Sequence, residues 1–202
     1  MTLKNKTRFL FIIFAICILL STSSLTSKSN QAIVPINITV QGKLIITDAL
    51  SDNKSGTDPT INVLLRLTPD LNSSVVTGSS AIRIRTNLNN WKLTALRREL
   101  ANPSTNIDLK DILLSFTTQA GSSANPNCGK LLPPFDQVTD ISKISNLSPT
   151  EIFTGNSKTS LAKDLENKNN WFQLTSNYSV SPDFLYEIGE WSTTITYNLV
   201  SP

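Results

Sequence analysis

The chain predicts an all-β fold, an antiparallel β-sandwich of Ig-like or Greek-key type, from three observations. Apolar residues recur at period two in one short segment after another. Those segments are separated by clusters of Asn, Ser, Gly and Pro. Beyond the N-terminus, no long i, i+3, i+4 apolar stripe marks a helix.

The N-terminal segment lies outside that domain. Lys4, Lys6 and Arg8 precede an unbroken apolar run, Phe9 to Leu20, which gives way to the small polar residues Ser21 to Ser24. A basic n-region, a short h-region and a small-residue c-region make an export signal. The run is twelve residues long, where a helix needs ~20 to cross a bilayer's hydrocarbon. An N-terminal membrane anchor is the competing reading. Cys17 makes no lipoprotein site, because Ile16 precedes it where a small residue is required. The expectation is a signal peptide over 1–32, cleaved between 24 and 32, and a single domain over 33–202. That domain is secreted or extracytoplasmic, with no transmembrane segment in the mature chain.

Within it, Val34, Ile36, Ile38 and Val40 alternate with Pro35, Asn37 and Thr39, giving a strand with one buried face. Gly42 interrupts, and Leu44 to Thr47 continue the extended run. A turn-rich stretch, Asp48 to Pro59, precedes the next alternation, Ile61 to Leu67, which Pro69 ends. Ile82 and Ile84 alternate with Arg83 and Arg85, a strand with one wet face. Trp91, Leu93 and Ala95 make another, and Ile107 to Thr117 reads as a further strand. Residues 118–157 hold Gly121, Pro126, Gly129, Pro133, Pro134, Pro149 and Gly155 with no sustained period, so they read as one long irregular loop. Ser157 to Asn170 supports a helical turn or two. The last strands are Phe172 to Val180 and Trp191 to Val200.

Charge and composition exclude much chemistry. The 18 basic and 15 acidic side chains leave +3, but Lys4, Lys6 and Arg8 leave with the signal, so the mature chain is close to neutral. It has no electrostatic footprint for nucleic acid. Arg83, Arg85, Arg97 and Arg98 form a local basic cluster, read as a solvated sheet face. There is no histidine, which removes Ser-His-Asp and Cys-His arrangements and the commonest metal ligand. Cys128 is the one cysteine of the mature chain, so no internal disulfide forms and the thiol is either buried or an intermolecular bridge. Asp108 with Asp111, and Glu187 with Glu190, are the carboxylate pairs a glycosidase reading would use, but nothing marks either pair and they read as solvated turn residues. Asp48, Asp52 and Asp58 share a loop without calcium-loop spacing. No catalytic residue, cofactor site or metal site is assigned, and the chain reads as a non-enzyme.

Two patches carry a family resemblance. Trp91-Lys92-Leu93-Thr94-Ala95 resembles the first W-x-L motif of the WxL domain, a surface domain of Gram-positive bacteria. The C-terminus, Gly189 to Pro202, resembles that family's closing strand, with Tyr197 standing where its second tryptophan would be. The resemblance implies non-covalent attachment to the cell wall, and by motif carry-over it points to Trp91, Leu93, Tyr197 and Leu199. Residues two apart on a strand share a face. A face of Trp91, Leu93 and Ala95 therefore also reads as sandwich core, which would make the motif a packing signature. Trp171 is the opposite case: with Phe172 and Leu174 inward, it faces outward beside Gln173 as a candidate glycan contact.

The leading expectation is a non-catalytic secreted or cell-surface sandwich that associates with cell-wall or envelope glycan, or with other surface proteins. The alternative is a pilin-like or matrix subunit that self-associates by strand addition. A secreted hydrolase with unmarked carboxylates is the third.

Overall fold

The computed structural model describes residues 38, 41–50, 63–72, 74–99 and 105–202. The chain divides into two compact units, Met1–Val40 and Gln41–Pro202. The segment read as an export signal and, apart from Ile38, the expected Val34 to Val40 strand lie outside the described residues, as does most of the turn-rich stretch before Pro59.

The second unit is the expected sandwich of two antiparallel sheets. Its strands are β1 (Leu44–Asp48), β2 (Val76–Thr86), β3 (Trp91–Glu99), β4 (Leu113–Ala120), β5 (Gly129–Leu131), β6 (Thr139–Asp140), β7 (Thr150–Gly155), β8 (Phe172–Val180) and β9 (Thr193–Val200). One sheet runs β1-β2-β8-β4-β6 and the other β5-β7-β3-β9. Among the described residues, only β1 and β2 pair as consecutive strands. The chain otherwise crosses between sheets in the Greek-key manner, although its order is not the A-B-E-D and C-F-G of an immunoglobulin domain.

Alternation explains why the core lies between the sheets. On β2 and β8, Ile84 stands opposite Phe172 and Ile82 opposite Leu174, and all four are buried. On the facing sheet Leu93 stands opposite Phe153, and both are buried. Phe153 and Phe172 close the gap between the sheets with ring centroids 5.2 Å apart. Further along, the Ser176 and Tyr197 hydroxyls meet at 3.0 Å, joining β8 to β9. At the flank, β1 and β9 approach each other.

Several expected elements change. The segment 118–157 is not one irregular loop. It contains β5, β6, β7 and the end of β4, and contributes Cys128, Phe135, Ile141, Ile144, Ile152 and Phe153 to the core. Strands of two, three and six residues are too short to establish a period, so Gly and Pro dominate the pattern. The strand expected from Ile107 begins instead as a 3-10 turn, Leu109–Asp111. The Asp108 side chain accepts from the Lys110 amide, and the Asp111 side chain accepts from the Asp108 amide. That reciprocal capping box delays β4 to Leu113. Val63 to Leu67 alternates in exposure without joining a ladder. Val63 and Leu65 lie over Gly78, each 2.7 Å from where a Cβ would stand, so the segment packs on the sheet rather than extending it. Ser157 to Asn170 forms turns and bends, not a helix.

Candidate binding face around Trp171

The W-x-L residues are built into the interior. Trp91 and Leu93 are buried, while Tyr197 and Leu199 are partly buried and pack against the core. The register ties the patches together: β3 and β9 pair with Leu93 opposite Leu199 and Ala95 opposite Tyr197. The Trp91 indole stacks on Phe153 at 5.2 Å and 18°. Its Nε1 donates to the Ser157 carbonyl at 2.9 Å. Opposite Trp91 on β7 is Gly155, and opposite that on β5 is Gly129. A Cβ on Gly155 would stand 1.9 Å from Trp91 Cε2, so glycine at this position makes room for the indole. Burial and the nearby Tyr178 push the Tyr197 phenol well above its ordinary pKa, while the Ser176 hydrogen bond pulls it down. None of these four side chains is presented as a binding surface.

Trp171 occupies the outer side of the five-stranded sheet, as alternation requires, but it is not exposed. It retains 9% of its accessible surface. The Arg83 guanidinium lies over the ring, 4.0 Å from its centroid, which is cation–π geometry. Arg83 Nε also donates to Gln173 Oε1 at 3.2 Å, its cross-strand neighbour in the β2–β8 register. Gly121 fits the edge of the indole, where a Cβ would meet Trp171 Cε2 at 3.1 Å, and its amide donates to the Trp171 carbonyl at 2.9 Å. Two residues along, Arg85 Nε donates to Asn170 Oδ1 at 3.1 Å and to the Asn167 carbonyl at 3.2 Å. Asn167 has φ 54°, a left-handed conformation asparagine tolerates well.

The result is a guanidinium stacked on an indole and flanked by the amides of Gln173 and Asn170. Such a surface offers several donors and acceptors, with an aromatic face beneath one movable side chain. Arginine at period two, opposite Gln173, was the available sequence signal, but the pairing of β2 with β8 had to be known to use it. The four arginines do not form one cluster. Arg83 and Arg85 are on β2, whereas Arg97 belongs to the other sheet and is buried, its Nε donating to the Ile144 carbonyl at 3.3 Å. Arg98 is exposed.

Of the carboxylate pairs, the first has a structural role and the second lies on the β8–β9 connection. Asp108 and Asp111 cap the turn before β4, and the Glu187 amide donates to Asn106 Oδ1. Cys128 is a buried free thiol. Burial pushes its pKa up to about 12, which keeps it protonated and poorly nucleophilic. Among the described residues, no group of three or more His, Cys, Asp or Glu side chains is placed to hold a metal ion, and no helix is long and apolar enough to cross a membrane. No protein-family model matches the chain, and no curated protein matches it in sequence.

Proposed function

We propose that the protein is a non-catalytic binding module of the bacterial cell surface or secreted fraction, and that it meets cell-wall or envelope glycan on the outer face of the five-stranded sheet. The observation that carries this reading is the Arg83–Trp171–Gln173 assembly. A sugar stacks its C–H face on an aromatic ring and satisfies its hydroxyls with amide and guanidinium groups. Displacement of Arg83 by the ligand would uncover the Trp171 face while leaving Gln173 and Asn170 to bond it. The WxL-like patches favour wall polymer as that glycan, acting through the core they pack rather than through contact. Sedimentation with purified peptidoglycan tests the reading. The wild type should co-sediment, Trp171→Ala should lose binding, and Arg83→Ala should change it. Equal co-sedimentation of all three proteins would refute the assignment.

Self-association by strand addition is the second reading, favoured by one feature of β9. Among the described residues β9 ends the four-stranded sheet, and Ser192 to Pro202 contain no charged side chain. Edge strands commonly carry charges that discourage pairing with another chain. Light scattering of the wild type and of Thr194→Lys/Thr196→Lys tests it: an assembly built on β9 disperses in the variant.

A further inference from the structure

We infer that copies of this chain join end to end, the acidic apolar pole of one seated on the basic apolar pole of the next. The two poles are the loops that leave opposite ends of β8. This strand has nine residues, so at ~3.3 Å per residue the loops are separated by roughly 30 Å.

The first pole is the β8–β9 connection. Phe184, Leu185 and Ile188 are exposed there at 71%, 79% and 103%. This is an ordered arrangement, because Asn106 brackets the backbone. Its Nδ2 donates to the Leu185 carbonyl and its Oδ1 accepts from the Glu187 amide, both at 2.9 Å. Asp183 Oδ1 accepts from the Leu185 amide at 2.8 Å, and Tyr186 and Trp191 anchor the loop against the core. The backbone carrying three large apolar side chains is thus held in place before any partner arrives, which limits the entropy lost on docking. The loop also carries Asp183, Glu187 and Glu190, and no Lys or Arg occurs from Asn169 to the C-terminus.

The second pole is the β7–β8 connection. Leu161 and Leu165 are exposed at 71% and 96%, accompanied by Lys158, Lys163 and Lys168 against Asp164 and Glu166. Glu166 pairs with Lys168, and Arg85 donates to the carbonyls of Asn167 and Lys168 beside it. This loop is also pinned. The Thr159 amide donates to the Thr86 carbonyl at 3.0 Å, and the Leu161 amide to the Ser123 carbonyl at 3.0 Å.

Opposite charge around an apolar centre on both surfaces selects a second copy over a like-charged or purely lipid partner. A head-to-tail contact of this kind does not close as a twofold dimer does, so it builds a ring or a filament of more than two copies. It uses loops and leaves the edge of β9 untouched, and its basic pole borders the glycan face where Arg85 holds Asn167 and Asn170.

Chromatography with light scattering on the full chain, together with two pole variants, tests the inference. Leu185→Lys/Ile188→Lys blocks the acidic pole, and Leu161→Glu/Leu165→Glu blocks the basic one. All four side chains are exposed, and unchanged melting confirms that the fold is kept. The wild type should grow past the dimer with concentration and shrink with added salt. Each variant alone should be a monomer, with association weakened about tenfold or more. An equimolar mixture should stop at the dimer, because one intact pole of each kind remains. A monomeric wild type, a mixture that stays monomeric, or association that survives in both variants would overturn the inference. The last outcome would point to β9, and binding of the wild type to zwitterionic vesicles without self-association would point to lipid.

Discussion

The contact between Trp91 and Gly155 yields a prediction that tests packing without any ligand. Trp91→Ala removes a buried indole stacked on Phe153 and leaves a cavity in the sandwich, at a cost of about 3–5 kcal/mol. In a domain of this size that lowers Tm by on the order of 10 °C. Gly155→Ala adds a single methyl, but its Cβ would stand 1.9, 2.2 and 2.3 Å from three indole atoms. The ring is held by Phe153 on one side and by the Ser157 carbonyl at its nitrogen, so it cannot swing aside as a flexible side chain would. Overpacking of this kind costs about 1–3 kcal/mol. Combined, the two changes should not add. With the indole gone, the alanine methyl enters the vacated space, and a strand position loses the entropic penalty of glycine, worth roughly 0.5–1 kcal/mol. Gly155→Ala should therefore be neutral or mildly stabilising on the Trp91→Ala background, a coupling of about 2 kcal/mol. Urea denaturation of the four proteins measures it. An equal cost for Gly155→Ala in both backgrounds would show that the indole does not occupy the space over the glycine.

Four further outcomes follow from the interior and the outer face. Cys128 should resist a thiol reagent until the protein unfolds. Because burial raises the folded pKa of Cys128 from 9.0 to about 12 and that of Tyr197 well above 10.0, the folded state holds these protons more tightly than the unfolded chain. Stability should then be full below pH 9 and fall as pH rises from there towards 12, as urea midpoints across that range would show. Tyr197→Phe removes the 3.0 Å bond to Ser176 across the sandwich and should cost about 1 kcal/mol in denaturant unfolding. Arg83→Ala should cost about 0.5–2 kcal/mol, and acrylamide quenching of tryptophan fluorescence should increase as Trp171 loses its cover.

Long alternation is legible as strand at β8 and β9, whereas Val63 to Leu67 alternates and yet packs on the sheet instead of joining it. β8 begins and ends where period two places it, and the closing strand turns Ile195, Tyr197 and Leu199 inward as expected. Alternation reports one buried side, however, and says nothing of what lies on either side of a strand. For that reason Trp171 was correctly placed outward yet wrongly expected to be exposed: its cover comes from Arg83, 88 positions earlier, through the register of β2 with β8. The same limit applies to Arg97, whose partner carbonyl on Ile144 sits in a segment without readable period. The core contributed by 118–157 is hidden because Cys128, Phe135, Ile141 and Ile144 lie in turns, bends and a 3-10 helix between very short strands, where no period can form.

The order of strands in space has a consequence for the time at which the chain becomes a protein. The middle of the five-stranded sheet is β8, and β2 and β4 each pair with it. Thr94 on β3 bonds to Asn198 across 104 positions. Sheets closed by such distant partners form slowly, over milliseconds to seconds. During synthesis at ~5–20 residues per second, β2 waits on the order of 10 s for its neighbour to be made. Through that interval Ile82 and Ile84 have only β1 to pair with and no facing sheet to bury them, and Arg83 and Arg85 beside them act as gatekeepers that discourage pairing with other chains. The same two arginines later cover Trp171 and bind Asn170. They therefore serve the unfolded chain first and the folded surface afterwards.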